Sequence, residues 1–585
     1  MRLVGRILVT VLAVIGGAVL LFAAIGTWSA LHTKPVPLPG KIVLSLDLDE
    51  GVTEGHSNNP FSLRLHKGYE LKDAVESLDR AARDGRVTAV VARFSAPPLG
   101  MAQVQELRDA LAAFRHSGKR VVAFSSSLGG FGGGSQAYYL ASGFHEIWLQ
   151  PSGDVGMTGY RVESPFFKHL LELLDIKAEF GGRYEYKTAI DIFTHDKFSK
   201  EGRESMQMLI DSWTRQTVEG IAAARGLPPV EVRALIDRAP LMADEALQAK
   251  LVDRLAYWDE LEKDLTATGA KMIDLNDYAV RSHAEPTAIK VALISGIGTV
   301  QEGDGEDDLL GDGQSMSSRR LEKAFKDATT DSDVKAILFR IDSPGGAYPA
   351  ADAIWRAVGN ARAGGKPVVV SMGDVAASGG YYGAMAADRI VAEPGTITGS
   401  IGVFAGKLNI GDFWKKIGVS WDEVHQGKNS GMWSGNSGFT PAEWDRLNVM
   451  LDHTYADFTS KAEAARHLSP EAMDKLARGR VWPGFEAKQL GLVDELGGYA
   501  EAFALIRQLA KQPTQMPIQL VAFPREKTPF EILLDFAKKG QLSAAIGGHS
   551  AAFERMATLA TVLAPVAALI EGEDRSLTMP PLQAH

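Results

Sequence analysis

At 585 residues the chain is too long for one hydrophobic core and must divide into two or more domains. A formal net charge of −10 leaves no basic footprint, which argues against nucleic acid as a partner. There is no cysteine, so disulfides and thiolate chemistry are excluded, and 13 scattered histidines with no His-x-x-x-His pair give a metal site no support.

Ile7 to Trp28 runs 22 residues without a charge, long enough to span a bilayer and longer than a typical signal-peptide core. Arg2 and Arg6 precede it and only Lys34 follows closely. The N-terminus is therefore expected on the cytoplasmic side, with the body across the membrane. Residues 1–35 are read as an uncleaved anchor. A cleaved signal peptide is the alternative, since Ala24-Ile25-Gly26 is a weak small-x-small site.

The body repeats itself. Lys41-Ile42-Val43-Leu44-Ser45 matches Lys290-Val291-Ala292-Leu293-Ile294 as an opening strand. Ala89 to Arg93 pairs with Ala336 to Arg340, and Gly118 to Val122 with Gly365 to Val369, both at an offset of 247. Farther on, Tyr138-Tyr139, Ile147, Pro151, Gly156 and Gly159 match Tyr381-Tyr382, Ile390, Pro394, Gly399 and Gly402 at an offset of 243. A four-residue insertion in the first copy accounts for the change. Two copies of one domain are the simplest explanation.

Short apolar strands alternate in each copy with helical stretches such as Leu71 to Asp84 and Leu321 to Thr329. That order predicts α/β units with mainly parallel sheet and flanking helices, and site residues in the loops that leave the strand ends. Glu204 to Arg225 and Pro441 to Arg466 are long amphipathic patterns, read as core-packing helices. The boundaries drawn are a first copy over 41–267, a linker over 268–287, a second copy over 288–512 and a helical tail over 513–585. The acidic run Glu302 to Asp312 lacks EF-hand ligand spacing and is read as a mobile loop. In the tail, Met556 to Ile570 is apolar, but at 15 residues with Pro565 inside it is short for a span.

The chemistry concentrates at Ala376-Ala377-Ser378-Gly379-Gly380-Tyr381-Tyr382. A serine between an apolar strand and a glycine pair opening a short helix is expected to be exposed beside free N–H groups. Those donors and the helix dipole can hold a developing oxyanion. A second glycine turn, Asp342-Ser343-Pro344-Gly345-Gly346, follows another apolar strand and is placed to supply the other donor. The pair reads as an acyl-transfer site with a serine nucleophile. In the first copy Ser135 occupies the equivalent position, but Ser95-Ala96-Pro97-Pro98 replaces the glycine turn, and proline supplies no N–H. Ser135 is therefore read as a relic.

A serine hydroxyl needs a base, and no histidine stands near a matching carboxylate as a triad would require. A buried lysine can serve if desolvation lowers its pKa, but spacing alone selects none.

The Ala376 to Tyr381 word, the Asp342 to Gly346 turn, the Thr398-Gly399-Ser400-Ile401-Gly402 word and the duplication together resemble the signal peptide peptidase A family of the long, two-copy type. The resemblance extends from the anchor to about Gln512. It implies two tandem domains of the Clp-protease/crotonase superfamily and a Ser–Lys dyad whose base lies in the first copy. The family's Gly-x-Tyr-Lys-Ser-Ala-like word matches Gly182-Arg183-Tyr184-Glu185-Tyr186-Lys187-Thr188-Ala189 and selects Lys187. Lys197 is its nearest competitor, in a polar run, and the second copy has Ser430 where Lys187 would fall.

The resemblance thus implies a membrane-anchored serine endopeptidase that degrades cleaved signal peptides and other short apolar peptides. Ser378 would be nucleophile, Lys187 general base and then acid, and the N–H groups of Gly379 and Gly346 (or Gly345) the oxyanion hole. Ser400 would hold the lysine. No metal or cofactor is implied. The expected setting is the bacterial inner membrane, as a homotetramer, with the catalytic body outside the cytoplasm. A crotonase-type acyl-CoA lyase or hydratase and a catalytically silent membrane scaffold are the alternatives. The first would need acid/base carboxylates and would have no use for the serine.

Overall fold

The computed structural model describes residues 37–55, 68–129, 134–282, 287–304 and 315–525, with the backbone of 577–578 and 583–584. Both Ile7 to Trp28 and Met556 to Ile570 lie outside these residues, as do positions 305–312 of the acidic run. Among the described residues no helix is long and apolar enough to cross a membrane.

The first copy is built on six parallel strands in the order Arg254–Leu255, Glu146–Leu149, Arg120–Ser125, Val87–Arg93, Ile42–Asp47, Lys271–Asp274. Runs such as Val90, Val91, Val121 and Val122 are buried on both faces, as a parallel sheet covered by helices requires. The second copy repeats this core. Val368–Ala377, Val334–Ser343, Ile289–Ile297 and Ile518–Phe523 are parallel neighbours, and Arg389–Ala392 joins beside Val368–Ala377. Its sheet continues through Ile397–Gly399 to Val481–Pro483, which runs antiparallel.

Helices follow their apolar spacing. Leu71–Arg83 buries Leu71, Ala74, Val75, Leu78 and Ala81, while Ser318–Thr330 buries Leu321, Ala324, Phe325 and Ala328. The two long patterns are Lys200–Arg225 and Pro441–Arg466. Each is capped at its start by a hydroxyl, Ser199 or Thr440, and ended by a left-handed residue, Gly226 or His467. The duplication reaches individual hydrogen bonds. Lys119 Nζ donates to the Ala81 and Asp84 carbonyls, and Lys366 Nζ to those of Asp331 and Val334.

The boundaries differ from those drawn on the sequence. Strand Lys271–Asp274 and helix Leu275–Arg281 fall in the expected linker, yet the strand pairs with Ile42–Asp47 and completes the first sheet. Strand Ile518–Phe523 does the same for the second copy from inside the expected helical tail. Lys271–Asp274 is short and charged at both ends, and pairing with the opening strand makes it, whereas Ile518–Phe523, an apolar run between Pro517 and Pro524, carries a local strand signal. At the far end of the tail, the Leu577–Thr578 backbone pairs antiparallel with Gly345–Gly346, and Gln583–Ala584 with Val162–Glu163.

The copies are joined in two ways. Helix Met101–Arg115 of the first lies against the second sheet, and its Met101, Val104 and Leu107 share one buried cluster with Leu338, Val369 and Val391. Strand Lys177–Arg183 of the first pairs antiparallel with Val403–Asn409 of the second, from Arg183 opposite Val403 to Lys177 opposite Asn409.

Candidate active site

Strand Val368–Ala377 delivers Ser378 to the mouth of helix Gly379–Ala384. The turn is tight: Ser378 has φ 54° and ψ −115°, a region L-residues rarely adopt, at a cost of about 1–3 kcal/mol. Surrounding bonds hold it there, since Ser378 N–H donates to the Gly399 carbonyl at 2.8 Å and Tyr382 N–H to the Ser378 carbonyl at 2.8 Å. The Gly379 N–H occupies the first helical position, where no intrahelical acceptor exists.

Lys187 arrives from the other copy. It follows the interdomain strand Lys177–Arg183 and precedes the short turn Thr188–Ile190. Its Nζ lies 2.7 Å from Ser378 Oγ and 3.1 Å from both the carbonyl and the hydroxyl oxygen of Ser400. The side chain is 3% exposed, and burial alone holds its pKa well below that of a free lysine. Its three polar partners are all uncharged oxygens, so no negative charge offsets the cost of keeping a proton on the buried amine.

Ser400 also has positive φ, at 52°, and its N–H donates to the Arg480 carbonyl at 2.8 Å. The Thr398 to Gly402 word thus presents two oxygens to the lysine, one of them a main-chain carbonyl that only the fold could reveal. Ser343-Pro344-Gly345-Gly346 lies beside the Ser378 turn. A Cβ on Gly346 would stand 2.1 Å from the Val300 carbonyl oxygen, so no side chain fits there. Of the expected oxyanion donors, the Gly345 N–H already donates to Ser343 Oγ at 3.2 Å. Gly379 and Gly346 are the expected donors that remain, Gly346 as a strand residue paired with Val300 and with the Leu577 backbone.

One expectation is overturned. Ser378 is 0% exposed, where the sequence suggested an open hydroxyl. The reason is the second copy's partner: Lys187 stands directly on Oγ, and a single-copy view of the serine turn lacks that cover.

Ser135 is placed quite differently. Its hydroxyl donates to the Gly159 carbonyl at 2.9 Å and accepts from the Gly159 N–H at 2.8 Å, so it ties down a loop. Lys197 is exposed, and Ser430 is an exposed turn residue bonded to Gly427.

Two groups of residues went unnoticed in the sequence. The first is a buried charge cluster between the copies. Arg340 pairs with Glu54 at 2.7 Å and Glu106 at 2.9 Å, both from the first copy, while Glu393 is buried with neither carboxylate oxygen hydrogen-bonded within the described residues. An arginine inside the apolar run Phe339-Arg340-Ile341 was the available signal. The second is the turn Arg478-Gly479-Arg480, for which spacing offered none.

A buried lysine amine on a strained serine hydroxyl, beside glycine N–H groups, is the arrangement of a serine hydrolase. The class is a serine protease. The chain belongs to peptidase family S49, whose model matches residues 113–272 and 360–513, once in each copy. It is similar to Protease 4 of Salmonella typhi, 33% identical over 75% of this chain and 72% of that protein. The chloroplastic serine protease SPPA of Arabidopsis thaliana is 29% identical over 82% of this chain and 72% of its own length. A putative signal peptide peptidase SppA of Enterococcus faecium is 28% identical over 35% of this chain and 59% of its own.

Proposed function

We propose that this serine protease is an endopeptidase working through a Ser378–Lys187 dyad, and that it degrades cleaved signal peptides and other short apolar peptides at the bacterial inner membrane. The observation that carries the dyad is the 2.7 Å contact between Lys187 Nζ and Ser378 Oγ in a buried setting. The neutral amine takes the serine proton as Oγ attacks the scissile carbonyl. The Gly379 and Gly346 N–H groups receive the oxyanion, and the ammonium then protonates the leaving amine. The freed lysine activates a water to release the acyl group from Ser378. Ser400 holds Nζ on the nucleophile through both of its oxygens.

The substrate class rests on the likeness to a relative named for signal peptides and on the apolar segment Ile7 to Trp28. As an anchor with a cytoplasmic N-terminus, that segment sets the catalytic body outside the cytoplasm, beside peptides left in the bilayer. Each unit is read as a Clp/crotonase-type domain and the assembly as a homotetramer, both following from the family resemblance.

The test uses the full chain in detergent or vesicles, with a fluorophosphonate probe and a synthetic signal peptide. Stoichiometric labelling at Ser378, blocked by the peptide, together with internal cleavage of that peptide, is the expected result. Labelling elsewhere sinks the nucleophile, and labelling at Ser378 with the signal peptide left intact sinks the substrate class.

A further inference from the structure

The loop that carries Lys187 is held chiefly by the other copy. Arg478-Gly479-Arg480, the turn that follows helix Pro470–Leu476, touches that loop at every residue. Tyr186 N–H donates to the Arg478 carbonyl at 3.1 Å. The Arg478 guanidinium meets the Glu185 carboxylate with two prongs, Nε to Oε1 at 2.9 Å and Nη2 to Oε2 at 3.0 Å, and lies 4.6 Å from the Tyr184 ring centre. Arg480 lies 4.9 Å from the Tyr186 ring centre and pairs with Glu204 at 2.9 Å.

The same three residues hold the Ser400 loop from its other side. Gly479 N–H donates to the Ile401 carbonyl at 2.7 Å, and the Arg480 carbonyl accepts from Ser400 N–H. Between these contacts the two backbones touch. A Cβ on Gly479 would stand 2.5 Å from Lys187 N and 2.6 Å from its Cα and Cβ, and the residue has φ +88°. Those atoms are backbone and the root of the side chain, so a methyl there has to push the lysine itself.

The geometry points to Arg478-Gly479-Arg480 as the positioning element of the base. Gly479 sets how closely Lys187 approaches Ser378 and Ser400, and the Arg478–Glu185 pair fixes the loop that carries it. None of the three touches the reacting atoms. The inference rests on Lys187 being the base. A displacement of about 1 Å stretches a 2.7 Å contact beyond hydrogen-bonding range and can cost on the order of 10²-fold in turnover. The same displacement opens the amine to water, which weakens the desolvation that lowers its pKa.

The experiment measures kcat, KM and the pH profile of the full chain carrying Lys187→Ala, Gly479→Ala, Glu185→Gln or Glu185→Asp, with a melting curve for each. Gly479→Ala should lose about 10²-fold in kcat with KM little changed, and the pH midpoint of activity should move up towards that of free lysine. Glu185→Gln should lose several-fold in kcat with a smaller upward move, and Glu185→Asp, which keeps the charge, should recover most of the loss. Should Gly479→Ala abolish cooperative melting, the Glu185 pair decides alone. A drop in melting temperature with the wild-type pH midpoint would mark a merely structural turn and overturn the inference. If Lys187→Ala is dead while Gly479→Ala and Glu185→Gln keep wild-type kcat and midpoint, the positioning role fails and the dyad stands. An active Lys187→Ala removes the dyad and this inference together.

Discussion

Lys187 Nζ and Ser378 Oγ meet at 2.7 Å although 191 residues separate them and each belongs to a different copy of the repeated domain. Neither sheet contains both groups. The contact exists because the Lys177–Arg183 and Val403–Asn409 strands pair across the copies, which brings the base loop over the Ser378 turn.

Ser378→Ala should reduce peptide hydrolysis to background with an unchanged melting temperature, since the lost hydroxyl bonds only to the lysine in the described site. Ser135→Ala should keep full turnover. It removes two hydrogen bonds to Gly159, and a fall in stability of about 1–2 kcal/mol is expected in denaturant titration. Loss of turnover with Ser135→Ala and not with Ser378→Ala would reverse the assignment of the working copy.

Lys187→Arg should be as inactive as Lys187→Ala, because guanidinium keeps its proton at any working pH. Lys187→Met should be inactive yet more stable. The native lysine has a depressed pKa, so the unfolded state binds more protons below the free-lysine range, and wild-type stability rises with pH up to that range. The advantage of Lys187→Met should therefore be largest at low pH and fade towards pH 10, read as melting temperature against pH. Wild-type activity should climb with pH to a midpoint below that of a free lysine.

Glu393→Gln tests the opposite sign. Burial, and then the nearby Glu106 carboxylate, push the Glu393 pKa well above the ordinary carboxylate range. The folded state then holds a proton that the unfolded state releases, so this group lowers stability as pH rises above about 4.5. The variant should match wild type in acid and exceed it increasingly at neutral and alkaline pH. A constant difference at all pH values would show Glu393 ionised in the fold.

Much of the site was legible in single words. The Ser378 turn, the Asp342 to Gly346 turn and the Thr398 to Gly402 word each lie within a few residues of one strand end, where glycine and hydroxyl placement reflects local backbone demands. Helices such as Leu71–Arg83 were legible because their burial follows one period. Lys187 was not legible from spacing as the proposed base, since its lowered pKa comes from burial between two copies, and only a family likeness picked it out. Lys271–Asp274 was not legible for the same reason, since pairing with a distant opening strand creates it, while Ile518–Phe523 was legible as an apolar run between two prolines.

Gly346→Ala should cost turnover more than binding. The added methyl would collide with the Val300 carbonyl and turn the neighbouring N–H away from the oxyanion, with a loss of about 10²–10³ in kcat. A variant with raised KM and normal kcat would place Gly346 in peptide binding only.

The interdomain ribbon also sets an order of events during synthesis. Among the described residues, Lys177–Arg183 has no strand partner other than Val403–Asn409, so when the ribosome has made the Lys187 loop its mate is still untranslated. At about 5–20 residues per second Ser378 trails Lys187 by on the order of 10–40 s. Through that interval the nascent chain carries an unpaired edge, and Ser378 and Lys187 cannot meet until the second copy has been made.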